Sequence, residues 1–380
     1  VNILFVCDAI DPSLGGGTAE RTFQAARALR RAGAHCMLFA TDVGLGERRR
    51  DELRGIETLL VPSLSRRFFF PWVAPWRVAA LVRRADVVQI TGHWSWLGAL
   101  AGGLAMAQGK PYVYCPAGSL RIFGRSAAIK RVYNGLVGRR LVRRATRCFS
   151  VTEQEREQFQ AYGVADDRVV VMPNGVDDEL PEPPRPERAR QRHGLGDETV
   201  LLFLGRLSPI KGPDLLLDAF AGVRKRHPRV RLLMAGPDSG QGDALHEQVA
   251  RLGLEQSVTF TGHLEAREKY DLLAVADLLV IPSRHEAMSL VALEAGLVGT
   301  PVLLTDQCGF DEVERAGAGR VVAANAESLE RGLEELLANA ASLPRQGERL
   351  RQLVLERYTW KSLTRQSLTL FAQLTGKPIP

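Results

Sequence analysis

The chain has 380 residues, a formal charge of +7 and 45% hydrophobic residues, which suits a soluble protein of two ordinary domains better than one built on a single core. No run of about 20 apolar residues occurs, and an apolar strand opens the chain without a charged leader, so neither a spanning helix nor a signal peptide is expected. Cys7, Cys36, Cys115, Cys148 and Cys308 are scattered and lack disulfide-framework or metal spacing, which points to a reducing cytoplasm. The basic excess favours anionic partners, whether nucleoside diphosphates, phospholipid surfaces or nucleic acid.

Residues 1–7 form an apolar β-run that leads through Gly15, Gly16 and Gly17 into a helix carrying Phe23, Ala26 and Leu29. Glycines there let backbone N–H groups approach a phosphate at a helix N-terminus, although a flexible turn has the same composition. The triple lacks the register of a dinucleotide fingerprint, so a nicotinamide enzyme is not favoured. Strands follow at residues 35–40 and 57–61. Residues 66–77 then set Phe68, Phe69, Phe70, Trp72 and Trp76 among arginines, with Pro71 and Pro75 forbidding an uninterrupted helix. Exposed, this stretch is a wedge for a membrane interface or a lipid-linked acceptor; packed inward, its phenylalanines belong to the core.

The strand at residues 87–90 ends in a loop carrying His93, on the edge where open α/β sheets hold ligands. A further strand at 112–114 leads to the loop 116–121. Residues 129–147 read as one helix with Ile129, Val132, Tyr133, Leu136 and Val137 on one side and Arg140, Arg143, Arg144 and Arg147 at helical spacing, either a solvated basic face or a peripheral membrane patch. Strands at 148–151 and 169–171 precede Pro173, Asn174, Gly175, Val176 and Asp177, and the proline- and charge-rich residues 178–192 read as a linker.

Past the linker, the strand at 200–204 runs into Arg206 and Lys211, five apart across a proline turn and able to converge on one diphosphate. Strand-then-glycine segments follow at Gly236 and at Gly262-His263. The apolar run 278–282 places Glu286 in a loop at a strand's carboxyl end. Ser289 then caps a helix that carries Glu294 among apolar neighbours, where a carboxylate needs a base or a polar ligand such as a sugar diol. Residues 351–374 read as an amphipathic closing helix.

Glu286 and Glu294, with seven residues between them on a strand-loop-helix, resemble the EX7E motif of retaining glycosyltransferases of the GT-B fold, and of glycosyltransferase family 4 in particular. The Gly16-Gly17 pair, the complete PNGVD at 173–177 and the Arg206/Lys211 pair match family motifs in the same order, so the resemblance covers nearly the whole chain. It implies an α/β protein of GT-B class, two doubly wound Rossmann-like domains facing a central cleft. Residues 1–175 would bind the acceptor, residues 176–360 the nucleotide sugar, and the helix at 361–380 would cross back to the first domain.

By the same resemblance, Gly16 and Gly17 face the donor diphosphate, and His93 lies beside the reacting sugar. Arg206 and Lys211 neutralise the leaving nucleotide, Glu286 holds a hydroxyl of the transferred sugar, and Glu294 holds the ribose. Gly236 and His263 wall the base, and Ala287, Met288, Ser289 and Leu290 complete the donor pocket, the last three through backbone N–H groups. Ala287 and Met288 replace the family's usual glycine and aromatic, and Cys308 stands where glycine is common. No cofactor is implied beyond a UDP- or GDP-linked sugar, no metal is required, and the acceptor is a sugar, lipid-linked or other hydroxyl. A sugar-nucleotide epimerase of the same fold, or a non-catalytic anion-binding protein, shares many of these features. A nucleic-acid binder is not favoured, because the bases form no recognisable module.

Overall fold

Strand and helix alternate along the chain, and every ladder between the strands is parallel, in a computed structural model that describes residues 1–65, 69–122, 126–180 and 182–379. Phe68 of the aromatic stretch lies outside the described residues. The chain divides into two compact units, one formed by Val1–Gly175 with the chain from Trp360 onward, the other by Val176–Thr359.

The first unit's strands are β1 (Asn2–Ala9), β2 (His35–Thr41), β3 (Glu57–Val61), β4 (Val87–Thr91), β5 (Tyr112–Cys115), β6 (Arg147–Ser150) and β7 (Val169–Val171), in the order β3-β2-β1-β4-β5-β6-β7. Ile3, Leu4, Phe5 and Val6 are fully buried, as a parallel strand covered on both faces requires. The order reverses between β1 and β4, which opens a crevice outside their carboxyl ends. The helix Trp360–Thr375 packs on the helix Pro12–Arg31 of the same unit, and Phe371 stacks on Phe149 with ring centroids 6.3 Å apart. Arg21, itself buried, donates to the carbonyls of Met172 and Pro173 and to Asn174 Oδ1, fixing the strand's exit.

The second unit has β8 (Thr199–Leu204), β9 (Val230–Ala235), β10 (Val258–Gly262), β11 (Leu278–Ile281), β12 (Val302–Thr305) and β13 (Gly319–Val322), ordered β10-β9-β8-β11-β12-β13. Here the reversal falls between β8 and β11. The loops after those two strands carry Arg206 with Lys211 and Glu286.

Four local expectations change. The first helix starts at Pro12, capped by Asp11, and contains all three glycines, with Gly16 at φ 57° breaking it from within. Residues 129–147 are no single helix. A π-turn, Asn134–Gly138, joins two shorter helices, and Arg147 belongs to β6, so the four arginines do not share one helical face. The Asn134 side chain is engaged by His93 and Tyr162, which accounts for the extra residue in that turn. Part of the expected linker is the helix Pro186–Arg192, held against the helix Ala266–Val275 where Arg185 N donates to Asp271 Oδ1 at 2.6 Å. The closing helix is two, Leu343–Arg357 and Trp360–Thr375, separated where the Tyr358 carbonyl accepts from Val176 N.

Candidate functional site

In the second unit the strand ends are sewn together by backbone bonds. Gly205 N donates to the Ala235 carbonyl, Leu207 N to that of Pro237, and Gly236 N to that of Gly262, all at 2.9 Å. Those bonds turn the 205–212 loop across the sheet edge and leave Arg206 exposed, without an ion-pair partner among the described residues. Lys211 closes a 3₁₀ turn, Pro209–Lys211, and Gly212 follows at φ 66°. A Cβ on Gly212 would stand 2.1 Å from the Pro282 carbonyl oxygen, so glycine is required for the two loops to touch.

Arg284 then ties the β11 loop to that turn. Its N–H donates to the Ile210 carbonyl at 2.8 Å, and its guanidinium donates to the Pro209 carbonyl and, as a fork, to both oxygens of Asp214 at 2.8 and 2.6 Å. Burial pushes the Asp214 carboxyl up, but the Arg284 contacts outweigh it and hold its pKa below the usual value. From the other side Thr305 Oγ1 donates to the Ser283 carbonyl at 2.5 Å, Glu286 N to that of Gln307 at 2.9 Å, and Ser289 N to that of Cys308 at 3.1 Å. Cys308 is fully buried, and burial with the nearby Glu286 charge raises its thiol to about 12, so it is an inert support.

The result is two lysine–carboxylate pairs at the switch point. Lys211 Nζ donates to Glu286 Oε1 at 2.6 Å, and Ser283 Oγ donates to the same oxygen at 2.5 Å. Lys269 Nζ donates to Glu294 Oε1 at 2.7 Å, which answers the need for a base beside that carboxylate. Both pairs remain partly accessible. Such an edge offers cations to a diphosphate and carboxylates to hydroxyls. Among the described residues no group of three or more His, Cys, Asp or Glu is placed to hold a metal ion.

The helix Leu290–Val298 starts at Ser289, but the Ser289 hydroxyl makes no cap, and its N–H is already given to Cys308. Of the three backbone donors expected at that N-terminus, the middle one is therefore committed. Met288 is buried, Ala287 and Leu290 are partly exposed, and His263 is exposed beyond β10. Lys269, Arg284 and Asp214 were not singled out in the sequence, because each acts through a partner 25 or more residues away.

The descriptions of two family models fit the two halves of the chain. Residues 15–180 match "Glycosyltransferase Family 4" and residues 186–353 match "Glycosyl transferases group 1". The chain belongs to glycosyltransferase family 4. This family 4 chain is 35% identical over 209 residues to a D-inositol 3-phosphate glycosyltransferase of Nocardia farcinica, covering 53% of the chain and 46% of that protein. It is 33% identical over 266 residues to the protein of that name from Frankia alni, covering 65% of each. It thus spans between about half and two thirds of the length of these curated relatives. In fold it matches the crystal structure of Anabaena Alr3699/HepE in complex with UDP, with a TM-score of 0.79 at 20% identity over 98% of this chain and all of that one. The fold is GT-B.

In the family 4 chain's first unit, the crevice at β1 and β4 is lined differently from the expectation. His93 is only 1% exposed, Nδ1 lies 2.9 Å from the Tyr114 hydroxyl and Nε2 lies 2.8 Å from Asn134 Oδ1. Burial, against the Asn134 bond, lowers its pKa to about 4, so the ring is neutral and a ligand reaches it only by displacing a partner. Asp8, at the end of β1, was not singled out in the sequence. Burial raises its pKa to about 7 against a Ser95 hydrogen bond, and its carboxylate lies beside Gly92. Gly16 has open space around its Cα, and Gly17 is exposed.

Proposed function

We propose that the chain is a retaining hexosyltransferase that moves a sugar from a UDP- or GDP-linked donor to an acceptor hydroxyl, without a metal, in the synthesis of a polysaccharide, glycolipid or related glycoconjugate. The observation that carries this reading is the Lys211–Glu286 contact at the β8/β11 switch point, with the exposed Arg206 on the same loop as Lys211. Arg206 and Lys211 take the diphosphate, and Lys211 moves from Glu286 to a phosphate oxygen as donor binds. Glu286 then accepts from a hydroxyl of the transferred sugar. Glu294, set by Lys269, accepts from the ribose diol, while His263 and Gly236 lie on the side of the base.

The bond from the anomeric carbon to the diphosphate oxygen breaks as the two cations stabilise the charge growing on that oxygen. The acceptor oxygen bonds to the same face of the anomeric carbon and passes its proton to the departing diphosphate. The protein's share is position and charge rather than an enzyme nucleophile. His93 keeps its neutral ring at the acceptor edge of the first unit.

A thermal-shift screen against sugar nucleotides tests the reading, because a ligand bound only by the native state raises the melting temperature. One UDP- or GDP-sugar is expected to do so, and no response to any of them would overturn it. Turnover is then assayed with free acceptors, D-inositol 3-phosphate first because the named relatives act on it. Interconversion of the sugar with donor alone, and no transfer, would make the chain an epimerase.

A further inference from the structure

The donor chemistry leaves Asp8, at the carboxyl end of β1, without a task. Its backbone is fixed by Thr41 Oγ1, which donates to the Asp8 carbonyl at 2.5 Å. Its side chain lies against the exit of β4, where a Cβ added to Gly92 would stand 3.5 Å from Asp8 Oδ2. The residue is partly exposed, so it opens on the crevice outside β1 and β4. Burial raises its carboxyl to about 7, and the Ser95 hydroxyl works against that rise. Ser95 is itself held as the cap of the helix Trp96–Ala107, where its Oγ accepts from Gly98 N at 3.1 Å and keeps its own proton for Asp8.

The neighbouring phenols give that carboxylate nothing further. Burial, with the Asp8 charge adding to it, raises the pKa of both Tyr114 and Tyr133, so both lie near Asp8. Tyr133 donates its proton to the Ser95 carbonyl at 2.8 Å. His93 Nε2 donates to Asn134 Oδ1 at 2.8 Å, so the bare Nδ1 accepts from the Tyr114 hydroxyl at 2.9 Å. Among the described residues no ion pair reaches Asp8 and no group of three acids, histidines or cysteines is placed to hold a metal there. A buried carboxylate with one donor and unfilled lone pairs is destabilising until something polar completes it.

We infer that Asp8 accepts from hydroxyls of the acceptor, oriented by Ser95, and that the acceptor turns an uncharged polyol face to this crevice. The inference rests on the glycosyltransferase reading, in which Glu286 and Glu294 take the hydroxyls of the donor. A carboxylate repels a phosphate, so any anionic group of the acceptor points away from Asp8. On the same loop Trp94 is partly exposed, its ring centroid 4.4 Å from that of the neutral His93, an apolar wall beside a polar group as small-molecule sites combine them.

Saturation-transfer NMR on the whole chain, with and without UDP, tests it with myo-inositol, methyl α-D-glucopyranoside and D-inositol 3-phosphate as probes. An uncharged probe is expected to receive saturation from the wild type, and Asp8→Asn is expected to weaken its binding on the order of tenfold. Asp8→Ser, which also lacks the carboxylate, should do the same. Because the charge is kept at a cost to the fold, Asp8→Asn should melt higher than the wild type at pH 8. That excess should shrink as pH falls from 7 toward 4, where the folded wild type takes up its proton. A lower melting temperature at pH 8 in both variants would make Asp8 a structural group and overturn the inference. So would no binding of an uncharged probe, or binding unchanged in both folded variants. The thermal response to sugar nucleotides reads the donor site separately. Its loss in Asp8→Asn with UDP binding kept would assign the carboxylate to the donor's sugar instead, whereas its absence in the wild type would count against the glycosyltransferase reading.

Discussion

Lys211 Nζ lies 2.6 Å from Glu286 Oε1, across a sequence separation of 75 residues. Only 10% of the Glu286 side chain is exposed, and that ammonium and the Ser283 hydroxyl both donate to the same carboxylate oxygen. The two sides of the contact come from the loops after adjacent strands, β8 and β11. Gly212 against Pro282, and Arg284 against Asp214, hold the loops together.

Lys211→Met removes one of the two cations assigned to the leaving diphosphate. With a responsive sugar nucleotide, kcat is expected to fall on the order of 10²-fold, as loss of a preorganised charge-stabilising donor does elsewhere. Steady-state kinetics check it, and a wild-type kcat would remove Lys211 from the reaction.

Glu294 and Lys269 are expected to act on donor binding as a unit. Calorimetric titration of wild type, Glu294→Gln, Lys269→Met and the double variant should give a coupling of about 0.5–3 kcal/mol, the range for residues in contact. Glu294→Gln alone should weaken the donor about tenfold, since a neutral amide replaces a charged acceptor. Additive effects would mean that the pair observed at 2.7 Å has no part in holding the ribose.

Two glycines with nearly the same backbone separate strain from packing. Gly212 has φ 66° and its added Cβ would meet the Pro282 carbonyl at 2.1 Å, whereas Gly253 has φ 68° and nothing within 4 Å. Gly253→Ala should cost about 1 kcal/mol from the left-handed conformation alone. Gly212→Ala should cost about 3 kcal/mol by adding the steric shift, and should also weaken donor binding. Urea unfolding of both variants provides the comparison, and equal losses would contradict the loop contact.

His93 predicts a pH dependence whose sign follows from its depressed pKa. With a value of about 4 in the folded chain against the ordinary 6.5, the unfolded chain binds the extra proton between those values. Its contribution is therefore complete above pH 6.5 and is lost as pH falls toward 4, by up to about 3 kcal/mol. Asp8, raised to about 7 from 3.8, works in the opposite direction, favouring the folded chain below pH 7. The difference between wild type and His93→Gln, followed by urea unfolding from pH 4 to 7, isolates the histidine. A difference that stays constant across that range would show that the ring is not held neutral.

Much of the fold was legible because parallel strands covered on both faces are continuous apolar runs. Residues 1–7, 200–204 and 278–282 announced β1, β8 and β11 almost to the residue. Where a side chain breaks the helical repeat, periodicity alone misleads, as when Asn134 turns to His93 and Tyr162 and splits the expected helix with a π-turn. The 178–192 stretch misled for another reason. Its prolines and charges look like a linker, yet Pro186 sits in the first turn of a helix, where its missing N–H costs nothing.

By itself the sequence determined the two parallel α/β halves, the strand ends at which Arg206, Lys211 and Glu286 stand, the helix that carries Glu294, and the family those motifs belong to, because each is written in a short, local pattern. Only the tertiary structure decided that Lys269 answers Glu294, that Arg284 braces the loop on Asp214, that His93 is enclosed by Tyr114 and Asn134, and that Leu136 and Trp76 face outward. Those outcomes depend on which segments meet after folding and on how much water each side chain keeps, and neither is encoded in the spacing of neighbours along the chain.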